Sequence, residues 1–405
     1  MPEPHPLPFG LTAEALAAAE AEVDPGSLAA ATRLRSRFGP ELAASAASQA
    51  VLRRQARTKF GHAAAEMIFT RDGLEQASRP DVADYHARRL AMAGVRRAFD
   101  LGCGIGADAM AFAGLELAVR AVDSDAVTAT VAGVNLRHWP AAQVVHGRAE
   151  DVVLPTGEEA THTGVWVDPA RRLDGPAGAR GRARRVVSLD RISPTWRDVQ
   201  GYAAQVPATG AKLAPAFPHA ARPEGAEAQW VSWRGEVVEC AVWWGPLVET
   251  AGRTATVLRP GSDGITLTEA EAAAAEPPLR SVGGLGAYLY EPDRAVIRAG
   301  LTGALARLVG GAELHDGVGY VAAHVAVDVP WAHRYAVVEA LPWNVKSVRS
   351  WLRARGAGAL TIKKRGVPLD PEAVRTQLRL TGSGEATVVL TRVAGQTYAL
   401  VVDPA

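Results

Sequence analysis

Asp100, Gly102, Gly104 and Gly106 fall at alternate positions in Phe99-Asp100-Leu101-Gly102-Cys103-Gly104-Ile105-Gly106-Ala107-Asp108. A second carboxylate, Asp123, closes Ala118-Val119-Arg120-Ala121-Val122-Asp123 roughly twenty residues later, the interval of a strand, turn, helix and second strand. Such a unit is a nucleoside-binding half-fold. Glycines at the turn let the backbone pass close under a ligand, and the acid ending the second strand accepts hydrogen bonds from ribose hydroxyls. Pyrophosphate sites use G-x-G-x-x-G. Here Ala107 and Asp108 follow Gly106, so the pattern is G-x-G-x-G, and the spacing sets this turn apart from a dinucleotide site.

The pattern resembles motif I of class I S-adenosylmethionine-dependent methyltransferases, which implies S-adenosylmethionine as cofactor. That molecule has no phosphates but carries an amino acid and a ribose. By the resemblance, Asp100 faces its ammonium group, Gly102, Cys103, Gly104 and Gly106 form the turn against it, and Asp123 holds the ribose. Family register puts the adenine contact in Val145-His146-Gly147-Arg148-Ala149-Glu150-Asp151, at Ala149 and Glu150, with Asp151 also in range. Arg148 stands where the family often has aspartate.

Gly164-Val165-Trp166-Val167-Asp168-Pro169-Ala170-Arg171-Arg172 is the second informative segment. Ligands of open α/β sheets sit at the carboxyl ends of strands, and Asp168-Pro169 occupies that edge of an expected fourth strand. Amino-methylating members of the class carry Asn/Asp/Ser-Pro-Pro-x here. The side-chain oxygen and the next carbonyl accept hydrogens from an exocyclic amine and aim its lone pair at the methyl carbon, so positioning and polarisation are the catalytic effects. Asp168 and Pro169 are the expected catalytic residues. Ala170 replaces the second proline, and no aromatic follows directly. A strand that merely ends at Asp168-Pro169 is the plain structural alternative. Carbon methylation of a pyrimidine would need a cysteine nucleophile. Cys103 lies inside the turn and Cys240 within an apolar strand, so that chemistry is not expected.

Arginine is dense after this motif: seven between Arg171 and Arg191, against Asp174 and Asp190. Guanidinium forks suit phosphate oxygens. A second cluster runs from Val345 to Leu369, with no acid and seven basic residues: Lys346, Arg349, Arg353, Arg355, Lys363, Lys364 and Arg365. Three of the five lysines of the chain fall there, which an arginine-biased composition does not explain. On a helix from Val345 to Arg355, Val345, Val348 and Leu352 make an apolar stripe beside a basic one of Lys346, Arg349 and Arg353. Contact with nucleic acid competes here with a solubilising face.

The chain as a whole resembles bacterial class I methyltransferases with a C-terminal ferredoxin-like and THUMP-like region. The carriers are the Asp100–Gly106 turn, Val167-Asp168-Pro169-Ala170-Arg171-Arg172, Leu213-Ala214-Pro215, Glu227-Ala228-Gln229-Trp230-Val231-Ser232 and Leu360-Thr361-Ile362-Lys363-Lys364-Arg365-Gly366. The THUMP-like region implies a structured RNA partner, tRNA or rRNA. Arg171, Arg172, Arg349, Arg353, Lys363, Lys364 and Arg365 are its expected contacts. A more distant similarity, to RNA-cap guanine-N2 methyltransferases, rests on Arg71-Asp72-Gly73-Leu74-Glu75-Gln76-Ala77-Ser78-Arg79-Pro80 and implies that Ser78 borders the cofactor. Those enzymes stack guanine on a tryptophan where Arg171 stands here.

These residues need an α/β frame. Strands are predicted at Arg97–Leu101, Ala118–Val122, Gln143–Val145, Gly164–Val167 and Ala211–Leu213, with a closing hairpin of Trp230–Arg234 and Val237–Trp244. The expected fold is a Rossmann-like seven-stranded methyltransferase sheet with an N-terminal helical domain and a C-terminal α+β region. The divisions are 1–88 (helical), 89–249 (methyltransferase), 250–340 (ferredoxin-like) and 341–405 (THUMP-like). Toward the C-terminus, Asp293–Leu308 and Val345–Arg355 are expected helices. Tyr288–Pro292, Val321–Val329, Tyr335–Ala340, Ala359–Lys363, Ala386–Val393 and Thr397–Val402 are expected strands.

With 405 residues, several domains are required. A formal charge of +1 gives no global field toward nucleic acid. Two cysteines make no disulfide framework, and no metal is expected from the ten histidines. Neither a signal peptide nor a membrane span is found, so the expectation is a cytoplasmic protein. The function expected is methylation of a base nitrogen in RNA. A small-molecule methyltransferase and an RNA-binding protein with a vestigial methyltransferase fold stay open.

Overall fold

The computed structural model describes residues 7–171 and 189–405. The chain divides into two compact units, Met1–Ala214 with Ala241–Glu249, and Pro215–Cys240 with Thr250–Ala405.

The first unit opens with helices α1 (Ala13–Ala21), α2 (Leu28–Phe38) and α3 (Pro40–Phe60). Thr12 and Ser27 cap the first two by accepting from Ala15 N and Ala30 N, and Pro40 starts the third where no N–H is needed. Small residues meet at their contacts: Ala15, Ala19, Ala43, Ala46, Ala50 and Ala56 share a core with Leu16, Leu34, Leu52 and Phe60. The helical region expected at the N-terminus includes one helix of 21 residues, α3. Helices α4 (Arg71–Gln76) and α5 (Pro80–Met92) follow, the second starting at Pro80 directly after Ser78-Arg79.

The α/β part comprises β1 (Arg97–Leu101), α6 (Ala107–Gly114), β2 (Ala118–Asp123), α7 (Ala126–Asn135), β3 (Ala142–His146), α8 (Glu158–Thr161), β4 (Thr163–Val167), β5 (Ala170–Arg171), β6 (Ile192–Ser193), α9 (Trp196–Gln205) and β7 (Ala208–Leu213). Strands run parallel in the order β3-β2-β1-β4-β7. Leu101 lies level with Val122 and Val167, and Val167 with Ala211, so the carboxyl ends of four strands reach one edge together. β4 is buried along its whole length, as a central strand covered on both faces must be. Phe112, Trp166 and Trp243 belong to one covering core, and Phe99, Leu101, Val165, Val167 and Val199 to the other.

The second unit contains β8 (Glu227–Trp233), the first part of β9 (Glu236–Trp243), β10 (Gly252–Leu258), β11 (Ile265–Thr268) and α10 (Glu269–Ala273). Arg234 and Gly235, both at positive φ (52° and 83°), make the two-residue turn between β8 and β9. Then come β12 (Tyr288–Pro292), α11 (Arg294–Ala299), α12 (Thr302–Leu308), β13 (Ala312–Glu313), β14 (Val321–Ala323), β15 (Ala332–Pro342), α13 (Val345–Ala354), β16 (Ala357–Lys364), α14 (Pro371–Leu378), β17 (Gly384–Val393) and β18 (Gln396–Pro404). They form a seven-stranded sheet in the order β13-β14-β12-β15-β18-β17-β16.

Three features depart from expectation. The helix expected over Asp293–Leu308 is two helices, divided at Gly300 in the left-handed region. The strand expected over Val321–Val329 keeps only its first three residues. β10 stands where no strand was expected, and its buried positions include threonines. Thr254 donates to Glu227 Oε1 at 2.6 Å, and Thr256 accepts from Gln229 Nε2 at 2.7 Å, so these polar side chains are satisfied inside.

Candidate cofactor and acceptor site

The glycine turn forms where β1 gives way to α6. Gly102 N and Cys103 N donate to Val122 O at 2.9 and 3.0 Å, which ties the turn to β2. Asp123 closes it: Oδ2 accepts from Gly104 N and Oδ1 from Asp125 N, both at 2.9 Å. Burial raises its carboxyl above the ordinary range. Each oxygen keeps capacity for another donor. Gly104 has φ +56°, and nothing lies within 4 Å of where a Cβ would stand, so the turn opens on space there.

Asp100 is 1% exposed, and neither carboxylate oxygen has a hydrogen-bond partner among the described residues. Burial, then the nearby Asp108 and Asp168 carboxylates, push it well above the ordinary range. An orphaned buried carboxylate is costly, and a cationic ligand group bound at this turn would satisfy it. Ala149 and Glu150 occupy a 3-10 turn after β3. Ala149 is buried, and Glu150 Oε1 accepts from Ser193 Oγ at 3.1 Å. The Cys103 and Cys240 thiols are both buried, and burial pushes both well up, which makes each a poor thiolate nucleophile.

The acceptor motif lies against the turn. Asp168 N donates to Leu101 O at 2.9 Å. A Cβ on Gly102 would stand 2.3 Å from Asp168 O, and Gly102 has φ +84°, so only glycine lets the two strand ends meet. Beyond Pro169, β5 pairs antiparallel with β6, Ala170 opposite Ser193. The Asp168 side chain is 35% exposed, and its Oδ2 accepts from Lys212 Nζ at 2.8 Å. Lys212 also donates to Gln76 O, the last residue of α4, at 3.4 Å. Arg172 and the Arg171 side chain lie outside the described residues.

Buried polar groups hold the segment that precedes β1. Ser78 Oγ donates to Asp108 Oδ2 at 2.7 Å, and His86 Nδ1 stands 2.8 Å from Asp108 Oδ1. Burial raises the Asp108 carboxyl, but the His86 hydrogen bond and charge outweigh it, and the carboxyl sits below its ordinary range. Ser78, expected beside the cofactor, is therefore a buried hydroxyl whose proton is committed to Asp108. Asn135 Nδ2 donates to Ile68 O and Ile105 O, at 3.0 and 2.9 Å, joining this segment to the glycine turn. Lys59 Nζ donates to Leu74 O at 2.8 Å. Burial, with the charges of Lys212 and Arg79, lowers its pKa to about 8.

Four of the basic residues expected to meet RNA, all in the second unit, have internal partners. Arg349 donates to Gln377 O and Arg353 to Arg379 O, both at the end of α14. Lys363 Nζ and Arg365 Nη2 lie 2.6 and 3.0 Å from the Glu291 carboxylate. Lys364 is exposed.

Sequence reasoning missed Lys212, Lys59 and His86, and gave Asp108 no role. One signal was available. The chain has 44 lysines and arginines but only five lysines, and the two outside the C-terminal cluster are Lys59 and Lys212. Among the described residues, no group of three or more His, Cys, Asp or Glu could hold a metal, and no helix is long and apolar enough to cross a membrane.

Comparison with known proteins bears on the family and the fold. The model of the THUMP domain-like family matches residues 332–404, from β15 to β18. A crystal structure of a methyltransferase candidate from Porphyromonas gingivalis W83 shares the fold, with TM-score 0.72 and 20% identity over 97% of this chain and 98% of that one. An uncharacterized S-adenosylmethionine-dependent methyltransferase of Mycobacterium tuberculosis, from strains CDC 1551 and H37Rv alike, is 33% identical over 374 residues, covering 89% of this chain and 95% of its own length. A turn that fits a cationic nucleoside cofactor and a relative of that identity over nearly the whole chain lead to one assignment: the chain belongs to the S-adenosylmethionine-dependent methyltransferases, with a THUMP-like domain at its C-terminus.

Proposed function

We propose that this methyltransferase acts on structured RNA, tRNA or rRNA, and transfers its methyl group to a base nitrogen, exocyclic or in the ring. The observation that carries the reading is the placement of Asp168. It sits at the carboxyl end of β4, with its carbonyl against Gly102 of the cofactor turn and its carboxylate partly exposed. A hydrogen-bond acceptor beside the methyl donor suits an acceptor nitrogen that brings its own N–H. The THUMP-like match supports RNA as the carrier of that nitrogen. The division of labour follows the domains read from the sequence: helical 1–88, methyltransferase 89–249, ferredoxin-like 250–340 and THUMP-like 341–405.

S-adenosylmethionine, when bound, supplies a methyl group on a cationic sulfur. Asp100 pairs with its ammonium group, which gives the orphaned carboxylate its partner. Gly102, Cys103, Gly104 and Gly106 form the turn beneath it, and Asp123 accepts from the ribose with the lone pairs left over from Gly104 and Asp125. Ala149 and Glu150 border the adenine. Ser78 holds Asp108 in place at the edge of this site. Asp168 and the Pro169 carbonyl orient the acceptor nitrogen, so that binding energy is spent on alignment and on polarising the N–H. Arg171, Arg172, Arg349, Arg353, Lys363, Lys364 and Arg365 face phosphates in this reading.

Asp168→Ala should keep cofactor affinity by calorimetry and lose turnover by at least about 100-fold. Mass spectrometry of RNA nucleosides from wild-type and deletion cells should show one methylated nucleoside disappear. An Asp168→Ala enzyme that methylates RNA at the wild-type rate sinks the catalytic assignment. Turnover indifferent to RNA and to moderate salt would instead indicate a small-molecule acceptor.

A further inference from the structure

The 3-10 turn Ala149–Asp151 opens at the same sheet edge as the glycine turn. β3 pairs with β2, His146 level with Asp123, and Gly147 N donates to Asp123 O at 3.0 Å. Two residues on, Ala149 is buried in one core with Leu101 and Val122, which directly precede Gly102 and Asp123. Glu150 follows, with 23% of its side chain exposed. Its Oε1 accepts from Ser193 Oγ at 3.1 Å and from Arg148 Nη2 at 3.3 Å. Arg148 is 63% exposed, so solvent screens its contact. The half-buried Ser193 hydroxyl is the donor that fixes the direction of the carboxylate.

Ser193 is itself held in place. β6 pairs with β5, Ser193 opposite Ala170, and the neighbouring Ile192 is buried. Ala170 is the residue directly after Asp168-Pro169. One hydroxyl therefore ties the strand that leaves the acceptor motif to a carboxylate 43 residues away in the chain.

We propose that Ser193 is the positioning residue of Glu150, and that the pair selects a 6-aminopurine in the cofactor over a 6-oxopurine. This rests on the reading of Glu150 as the neighbour of adenine and gives that residue a chemical role. A carboxylate accepts hydrogen bonds and donates none, and it offers about four acceptor sites. Both donors named above fall on Oε1, which leaves room for the exocyclic amine of adenine. A 6-oxopurine sets a carbonyl oxygen there instead, with its lone pairs against a negative charge. The hydroxyl contributes direction: with Oε1 tethered to Ser193, the carboxylate meets the edge of the ring in one orientation. Without the tether it turns toward solvent or Arg148, and the discrimination weakens with it.

Titration calorimetry of the full chain with S-adenosylhomocysteine and S-inosylhomocysteine reads the ratio of the two dissociation constants. A general loosening of the site weakens both ligands alike and leaves that ratio unchanged. Wild type should prefer the adenosyl compound by about 10- to 100-fold, the range of one hydrogen bond to a charged group. Ser193→Ala should cut the preference by about three- to tenfold, and Ser193→Thr, which keeps the hydroxyl, should hold it within about twofold. Glu150→Gln, whose amide can donate to a 6-oxo group, should bring the ratio to within about threefold of unity, and adding Ser193→Ala to it should change the ratio no further. A wild type that binds both compounds alike, a Ser193→Ala ratio equal to wild type, or a further fall in the double variant overturns the proposal. If Ser193→Ala fails to fold, Ser193→Cys decides, since a thiol is a weak donor of similar shape: a lowered preference supports the proposal and an unchanged one overturns it. A wild-type ratio in Glu150→Gln would remove Glu150 from the adenine edge, an outcome separate from any result at Ser193.

Discussion

Asp100 is held in a state that favours binding over stability. Its carboxylate is buried with no hydrogen-bond partner among the described residues, near the Asp108, Asp168 and Asp123 carboxylates, with Lys212 as an offsetting cation. Such a group costs stability in the free protein, and in the proposed reading it gains a charge-assisted hydrogen bond when the cofactor's ammonium binds. Asp100→Asn keeps the shape and removes the charge. The melting temperature should rise, while affinity for S-adenosylmethionine falls about 10- to 100-fold, the worth of one charged hydrogen bond. Scanning calorimetry and titration calorimetry read the two effects. A variant that binds the cofactor as tightly as wild type removes Asp100 from the site. This residue and the glycines were legible in the sequence because their spacing is local. Lys212 was not, because its partner lies 44 residues away on another strand, and only the β4–β7 register brings them together.

Elements of the C-terminal unit show where a basic sequence pattern divides into two uses. β16 carries Lys363 and Lys364 side by side, and alternation along the strand separates them. Lys363 meets Glu291, whose side chain is mostly buried, while Lys364 faces solvent. Burial would raise the Glu291 carboxyl, but the Lys363 hydrogen bond and charge, with Arg365, hold it below its ordinary range. Lys363→Ala should destabilise the protein by about 1–3 kcal/mol, the cost of leaving a buried charged group short of a partner, and Lys364→Ala by less than about 0.5 kcal/mol. Thermal unfolding of the two variants side by side tests the assignment, and equal losses would refute it.

A second element effect depends on pH. Glu313 on β13 has a buried oxygen with no hydrogen-bond partner among the described residues, and burial, then the charge of Asp316, raises its pKa to about 7. The folded protein therefore keeps this proton up to about pH 7, whereas the unfolded chain releases it near the ordinary carboxyl value of 4.5. Stability from this group is full below the unfolded value, falls as pH rises through the folded value, and changes no further above it. Glu313→Gln cannot titrate, so its melting temperature should gain on wild type between pH 5 and pH 8. A constant difference across that range would show that Glu313 ionises normally. These features were hidden in the sequence for the same reason that β10 was. Thr254, Thr256, Glu291 and Glu313 read as surface residues by type, and only long-range pairing or partial burial shows otherwise. The strands around the cofactor turn, being near-continuous apolar runs with a glycine or an acid at the end, were read to within three residues at each end.

At the scale of the whole molecule, a net charge of +1 leaves RNA affinity to local clusters. The structure reduces what the 345–369 cluster can offer. Lys363 and Arg365 share one carboxylate, and Arg349 and Arg353 are anchored on carbonyls at the end of α14. Lys346, Arg353, Arg355 and Lys364 are exposed; of these Arg353 donates to Arg379 O, and Arg355 rests over the Trp351 ring at 3.6 Å. Each phosphate contact contributes about −0.7 to −0.9 to the slope of log K against log salt. If the THUMP-like domain holds RNA through this surface, replacing Lys346, Arg355 and Lys364 together by alanine should weaken RNA binding and flatten that slope by about two. Cofactor affinity, which belongs to the other unit's glycine turn, should not change. An RNA-binding slope identical to wild type would move the phosphate contacts elsewhere, and the arginines that follow Asp168-Pro169 would be the next residues to replace.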